Sequence, residues 1–342
     1  MFGGYKNTPH ICKRKQRDIN FNTHTQMKTT KKTTNEIITE KVINGLKTQG
    51  LNWFKPWSSN GDTLNLPISY DSKKPYTGIN ALILSGAMQD NGWSRPEFLT
   101  FKQVTNAGGT VIKGSKSEIV TYWIVSFLHK PTNVWYNNEK ALNEAGYKKN
   151  DEDVLTNFNA RFYYVFNIEQ TEGVKPLDIN IDKVTEGTVF EKIDNAEKVY
   201  AGYKNAPKLK HGGNQAYYRP SADLVNMPVA KSFVDNASYY KTLFHELAHS
   251  TGHEDRLNRI GVSNTSNVVA SFGSDIYSQE ELVAEMASMF LVSVTGIEPK
   301  DNMNNSQAYI NGWVKKLTDH PKMIMQASAQ ADKAVKHILS VC

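Results

Sequence analysis

The sequence predicts an α+β protein built from two successive domains. In its first half, β-type runs alternate with turn residues, and five of the six tryptophans lie before residue 170. The second half reads as helices around one short hairpin. Between them the composition changes, with Gly173, Pro176 and Gly187 set among alternating charges. The division expected is a flexible basic arm, 1–34; a first domain, 35–170; a linker, 171–188; and a second domain, 189–342.

In the first domain, Ile37, Ile38, Val42, Ile43 and Leu46 recur at helical spacing and end at Gly50. A Trp53-Phe54-Lys55-Pro56-Trp57 segment and a Ser/Asn/Gly loop follow. Tyr76-Thr77-Gly78-Ile79-Asn80 leads into a second apolar helix. Strands are expected at Thr110–Lys113, Ile119–Leu128 and Ala160–Ile168, with 137–157 as an exposed polar insertion. In the second domain, a helix over Val189–Tyr200 precedes a hairpin at 215–225 and a helix ending near Gly252. A loop over 253–277, a glutamate-bearing helix from Ser278, and helices at about 306–317 and 321–339 complete the chain.

Composition narrows the function classes. A content of 39% hydrophobic and 11% aromatic residues describes a globular chain. Only Cys12 and Cys342 are present, which argues against a disulfide framework and for a reducing cytoplasm. No apolar run approaches the ~20 residues of a membrane span, so a soluble protein with no membrane partner is expected. The net charge of +6 is uneven: residues 1–34 hold eight Lys and Arg against Asp18, which leaves −1 for the rest. Such an arm raises nucleic-acid affinity without reading sequence, or is merely a solvated tail.

The chemistry concentrates in His245-Glu246-Leu247-Ala248-His249. Positions i and i+4 of a helix lie one above the other, so the two imidazoles can hold one metal ion, of which zinc is the first choice. Glu246 projects about 100° around the axis, where it can take a proton from a water that the metal activates. Random order of this composition gives about 0.01 such matches. Zinc needs a further ligand, and three candidates compete. Glu281 and Glu285 share a helix face opposite Leu282, Met286 and Met289. Asp255 follows the turn at Gly252. Glu281 is favoured, although Ser278-x-x-Glu281 also reads as a capping box that would occupy it. Three histidines on a straight helix span about 12 Å, too far for His253 to join.

Lys55, Lys73, Lys74, Lys102, Lys113 and Lys116 interleave with aromatic residues in the first half. Single-strand binding needs rings for bases and cations for phosphates, yet aromatic residues in strands also build cores.

Two motif sets occur together. One comprises Trp53-x-x-Pro56-Trp57, Tyr76-x-Gly78-Ile79-Asn80, Thr100-x-x-Gln103, Val111-x-Lys113-Gly114-x-Lys116 and Val165-Phe166-Asn167-x-Glu169-Gln170-Thr171. The other is His245-Glu246-Leu247-Ala248-His249-x-x-Gly252-His253 with Glu280-Glu281-Leu282-Val283-Ala284-Glu285. In both, the chain resembles ArdC-type antirestriction proteins of plasmids and phages, whose N-terminal domain is shared with TraC-like conjugative primases. The resemblance implies an N-terminal domain that binds single-stranded DNA and a C-terminal zincin-like metallopeptidase domain. It implies protection of incoming DNA from host restriction, in the cytoplasm of a bacterial host. It also favours Glu281 as ligand and Glu285 as its neighbour. The candidate DNA contacts are Trp53, Lys55, Trp57, Lys74, Tyr76, Asn80, Gln103, Lys113 and Lys116.

Two functions follow as expectations. In the first, His245, His249 and Glu281 hold zinc or another divalent ion, Glu246 is the base, and Tyr217, Tyr218 or Tyr277 stabilises the oxyanion. The target is then a protein, such as a host restriction enzyme. In the second, the protein coats single strands without proteolysis and its metal is structural.

Overall fold

Thr33 caps the first helix with a reciprocal bond to Glu36, and α1 (Thr34–Gln49) buries Ile38, Val42 and Leu46. In this computed structural model, residues 32–50, 53, 66–178, 189–263, 274–297 and 307–340 are described. The expected arm thus lies outside the described residues up to position 31, and its last two residues already cap and begin α1 as Thr33 and Thr34. Lys55 and Trp57 also fall outside them.

The first half is a sheet domain. After β1 (Ile68–Ser69), α2 (Gly78–Asn91) is apolar on nearly every side and runs through the core. Then come β2 (Glu97–Leu99), α3 (Phe101–Asn106), β3 (Thr110–Val111) and β4 (Glu118–His129). β5 (Val134–Tyr136), α4 (Glu139–Glu144), β6 (Val154–Asn167) and β7 (Thr171–Glu172) complete it. The main sheet has the order β1-β2-β6-β4-β5, and β3 pairs with β7. β4 and β6 form a long antiparallel ribbon, from Glu118 opposite Val165 to His129 opposite Val154.

Two expectations change here. The polar segment 137–157 is not a plain insertion, because Asn138 caps α4, and Leu142 is buried against Phe127 and Val154. The start of the expected linker is tied down. Thr171 and Glu172 pair with Val111 and Thr110, and Leu177 exchanges bonds with Arg95 and Glu97. Residues 179–188 lie outside the described ones.

The second half is largely helical: α5 (Val189–Gly202), β8 (Lys208–His211), β9 (Tyr217–Arg219), β10 (Leu224–Met227), then α6 (Asn236–Ser250). α7 (Asp275–Thr295), α8 (Gln307–Asp319) and α9 (Met323–Leu339) follow. The hairpin β9–β10 is present, and β8 joins it in parallel to give the order β8-β10-β9. α6 packs on α7, and α7 on α9.

This is a two-domain α+β architecture whose halves share one core. Ile38, Val42, Ile79, Leu82 and Ile119 join the apolar cluster of α6, α7, α8 and α9. α1 packs on α8, α2 packs on α9, and the Thr39 hydroxyl donates to the Pro321 carbonyl at 2.7 Å. Thr33–Cys342 accordingly forms one compact unit. Among the described residues, no helix is long and apolar enough to cross a membrane.

Candidate metal centre

The Asp235 carboxylate accepts the Ser238 N–H at 2.7 Å and starts α6. Tyr240, Leu243, Phe244, Leu247 and Ala248 are buried, which fixes the rotation of the helix and leaves His245 and His249 at the edge of the buried face. α7 begins one turn earlier than its sequence suggests, because Ser274 rather than Ser278 caps it. Ser278 is therefore an interior residue whose hydroxyl donates to the Ser274 carbonyl. Glu281 is not consumed by a capping box, and the α6–α7 packing brings it to the histidines.

His245 Nε2 lies 3.1 Å from His249 Nε2 and 3.5 Å from Glu281 Oε2, and His249 Nε2 lies 3.6 Å from Glu281 Oε1. Ligand bonds of about 2.0–2.1 Å at tetrahedral angles place donors roughly 3.3–3.4 Å apart. The three atoms thus match the edges of one coordination sphere, and two imidazoles suit a transition ion better than calcium or magnesium. His245, His249 and Glu281 form a divalent-metal site.

The outer nitrogens of both rings are engaged as such a site requires. His245 Nδ1 faces Glu285 Oε2 at 3.5 Å, and His249 Nδ1 meets Glu280 Oε1 at 3.1 Å. Arg259 grips Glu280 with two bonds, from Nε at 2.9 Å and Nη2 at 2.6 Å, and also donates to the Ala248 carbonyl. With each Nδ1 facing a carboxylate, a ring that gives up its second proton to a metal turns its Nε2 lone pair toward a common point. Glu280 and Arg259 escaped the sequence analysis. Glu280 adjoins Glu281 but leaves α7 on another face, and nothing local links Arg259 to it.

The electrostatics agree. Burial opposes charge on His245, but the carboxylates of Glu281, Glu285 and Glu246 outweigh it and lift the ring to about 10. Burial would raise Glu281, yet the two histidines and Tyr277 hold it at about 2. Burial, reinforced by the charges of Glu281 and Glu246, raises Tyr277 to about 12. An acidic cluster that pulls a proton onto an imidazole presents the field a dication would neutralise.

The other ligand candidates stand apart. The Asp255 side chain is 83% exposed and turns to His253, whose Nδ1 accepts the Asp255 N–H at 3.2 Å. Glu285 lies on the outer side of His245. A Cβ on Gly252 would meet Val262 at 2.8 Å and Arg259 Nη2 at 3.1 Å. Gly252 thus lets the chain after α6 pass close beside the arginine. Of the three tyrosines, Tyr218 donates to Asp223 and accepts from Arg256, and Tyr217 accepts from Arg219. Tyr277 alone among them is bonded to a ligand, Glu281.

Glu246, 8% exposed, lines a cavity of ≈690 Å³ with His245. Its walls include Gly213, Asn214 and Ala216, just before the edge strand β9.

The candidate DNA residues divide. Trp53 is 5% exposed and sits where a Cβ on Gly45 or Gly86 would strike its ring, at 2.1 and 3.0 Å. Asn80 clasps Thr121, donating to its carbonyl and accepting its N–H, both at 2.8 Å, and Gln103 closes the capping box of α3. These three hold the fold, and a buried indole offers no face to a base. Tyr76 is half-buried against Leu84, Met88 and Phe98, and its hydroxyl bonds to Tyr163. Lys74, Lys113 and Lys116 are exposed in the connections between strands and helices.

The sequence analysis missed an open aromatic face on the ribbon. Opposed residues share a face, so Tyr122, Ile124, Leu155, Arg161, Tyr163 and Trp135 stand on one side. Trp135 is 49% exposed, Leu155 is 50% exposed, and the Tyr122 and Tyr163 rings lie 5.9 Å apart. The signal was the length of β4 and β6, which outrun α1 and α2 and leave the ribbon's middle uncovered.

A helix with His-Glu-x-x-His, a glutamate from the next helix and a three-stranded edge sheet together define a zincin-like metal-site protein. Residues 194–330 match the zincin-like metallopeptidase family, and residues 32–166 match the N-terminal domain of anti-restriction factor ArdC. The chain thus carries an ArdC-like N-terminal domain followed by a zincin-like metallopeptidase-fold domain. Two Escherichia coli proteins named DNA primase TraC are each 32% identical to it over 91% of this chain, which spans 20% and 27% of their lengths. Uncharacterized protein y4eC of Sinorhizobium fredii is 28% identical over 87% of this chain and 89% of its own. The antirestriction ArdC protein of plasmid R388 has the same fold in its Mn(II)-bound form. That comparison gives a TM-score of 0.62 and 24% identity, covering 90% of this chain and 97% of that one. Its metal-free form gives 0.61 and 23%, covering 90% and 99%.

Proposed function

We propose that this is an antirestriction-type protein of a mobile element, which binds single-stranded DNA through its first half and hydrolyses peptide bonds at the metal centre. The observation that carries the hydrolytic reading is the convergence of His245, His249 and Glu281 beside a cleft into which Glu246 faces. Zinc is the ion we assign, given two imidazoles and one carboxylate. Bound there, it would supply positive charge that acidifies water and polarises a carbonyl.

The chain's own groups do the rest. Glu246, next to a ligand yet outside the triad, takes the proton from the attacking water and returns it to the leaving nitrogen. Tyr277, kept protonated by burial and by the charges of Glu281 and Glu246, donates its O–H to the developing oxyanion. Glu285 and the Glu280–Arg259 pair hold the imidazoles in orientation. The edge strand β9 offers backbone groups to an extended peptide.

Single-strand binding falls to the ribbon face of Tyr122, Tyr163 and Trp135 with Arg161, assisted by Lys74, Lys113 and Lys116 and by the basic arm. Antirestriction and its bacterial cytoplasmic setting come from the ArdC likeness.

The test is Glu246→Gln. Cleavage of an unfolded protein such as casein should vanish while one equivalent of metal remains bound. If the variant still cleaves, Glu246 is not the base. If protection of incoming DNA from restriction persists in the variant, proteolysis is dispensable and the metal is structural.

A further inference from the structure

The β4–β6 ribbon has outer edges as well as faces. Its ladder keeps step from Glu118 opposite Val165 to His129 opposite Val154, so no bulge twists an edge away. On β6 the outer edge meets β2 only at Phe166 and Asn167. Thr121 gives its N–H and its carbonyl to Asn80, so it forms a non-hydrogen-bonded pair with Phe162 opposite. Every second residue of β6 back from Phe162 therefore turns its backbone groups outward, namely Ala160, Phe158, Thr156 and Val154. The ends of this edge are closed. The Ala160 carbonyl accepts the Thr34 hydroxyl at 3.4 Å, and the Val154 N–H donates to the Asp151 carbonyl at 2.9 Å. Between them lies an open window. The N–H and C=O of Thr156 and Phe158, and the N–H of Ala160, have no partner among the described residues.

Such an edge is a template for another strand, and folded proteins blunt theirs with lysine, proline or a bulge. Thr156-Asn157-Phe158-Asn159-Ala160 has neither lysine nor proline. At its centre Phe158 is 61% exposed. It shares its face with Trp123 and Tyr164, both exposed, and that face carries no charge from Ile119 to Phe127 or from Thr156 to Tyr164. A face without cations is unsuited to phosphates. The DNA strand assigned to the opposite face therefore does not account for it.

We infer that two copies of the chain pair through this window, β6 against β6 in antiparallel, about a two-fold axis at Phe158. The window is its own complement. Phe158 opposes Phe158 of the second copy, Thr156 opposes Ala160, Asn157 opposes Asn159 and Arg161 opposes Leu155, so no like charges meet. Opposed residues share a face, so the Tyr122, Arg161 and Tyr163 sides of both copies lie together on one platform, β4-β6-β6-β4. That platform doubles the aromatic track open to a DNA strand, although the pairing itself needs no DNA. A window this short falls below the ~800 Å² per partner of a standard stable complex. The dimer therefore forms at micromolar rather than nanomolar concentration.

Sedimentation velocity on the full chain, from about 1 to about 100 μM, provides the test. The parent chain should pass from monomer to dimer over that range. Phe158→Lys should weaken the dimer about tenfold or more. Its melting temperature should stay within about 2 °C of the parent's, because Phe158 belongs to no buried cluster. A second pair of variants reads the register, in a chain carrying Cys12→Ser and Cys342→Ser. Phe158→Cys should form an intermolecular disulfide on mild oxidation, because hydrogen-bonded pairs stand about 5.5 Å apart at Cα. Leu155→Cys, also exposed but displaced along the strand from its own copy, should not. A chain that stays monomeric at the highest concentration leaves the edge to water or to a strand of another protein, and overturns the inference. A dimer that Phe158→Lys leaves intact, or that Leu155→Cys cross-links as readily, shows that the copies meet elsewhere and overturns it equally.

Discussion

At the scale of single residues, the site depends on groups that never reach the metal. Glu280 accepts from His249 and is held by Arg259, and both partners work against its burial to keep its carboxyl below the usual range. Glu280→Gln preserves the shape but removes the charge that makes His249 a strong ligand. It should weaken metal affinity about 10–100-fold in a chelator competition, and an unchanged affinity would show that the pair serves the fold alone. Asp223 is a second case. Burial would raise its carboxyl, but bonds from Arg256 and Tyr218 lower it below its ordinary value. Arg256 also donates to the carbonyls of Ser250 and Asn205, so this pair ties the hairpin to the end of α6. A depressed carboxyl stabilises the fold above its unfolded pKa, about 3.9, and loses that contribution as the pH falls through its folded value. Asp223→Asn, which tolerates the left-handed backbone there (φ 43°), should cost about 1–2 kcal/mol in urea denaturation near neutrality. The difference between the two chains should fade as acid titrates Asp223.

Among the elements, the β4–β6 ribbon is the one whose chemistry exceeds its structural duty. At one end Val120 and Val165 pack on α2, and at the other Phe127 and Val154 pack on α4. Between these anchors, large side chains face solvent on both sides, Phe158 at 61% exposure among them. A strand pair kept only for packing has no use for Tyr122 and Trp135 in water. Base–ring stacking is worth about 1–3 kcal/mol per base. Tyr122→Ala and Trp135→Ala should therefore each weaken binding of oligo-dT about 5–150-fold, measured by fluorescence anisotropy, without lowering the melting temperature. Arg161→Ala should reduce the salt dependence of binding by about one unit of slope. If all three variants bind as the parent chain does, the strand contacts lie elsewhere, in the connections bearing Lys74, Lys113 and Lys116.

For the whole molecule, the shared core makes the two halves one folding unit. Ile38, Val42, Leu82 and Ile119 come from the first half, yet their cluster is completed by helices of the second. Urea should therefore unfold the chain in a single transition seen alike by tryptophan fluorescence, weighted to the first half, and by far-UV circular dichroism, weighted to the helices. A fragment ending at residue 178 would expose the α1 and α2 faces that α8 and α9 cover, and should aggregate or bind hydrophobic dye. Two separate transitions would restore the picture of independent domains.

Local spacing alone was enough to announce His245, Glu246 and His249, because helical geometry stacks i and i+4 whatever the rest of the chain does. The same holds for α1, α6, α9 and the hairpin, whose periodicity and end signals lie within a few residues of one another. Three-dimensional packing decided what no local window contains. It brought Glu281, and not Asp255, beside the two histidines by laying α7 across α6, recruited Arg259 to Glu280, and buried Trp53 between Gly45 and Gly86 while baring Tyr122 and Trp135. A side chain's distance to a partner far along the chain, and its share of solvent, depend on how whole elements dock. That is a property of the assembled core and not of any stretch of sequence.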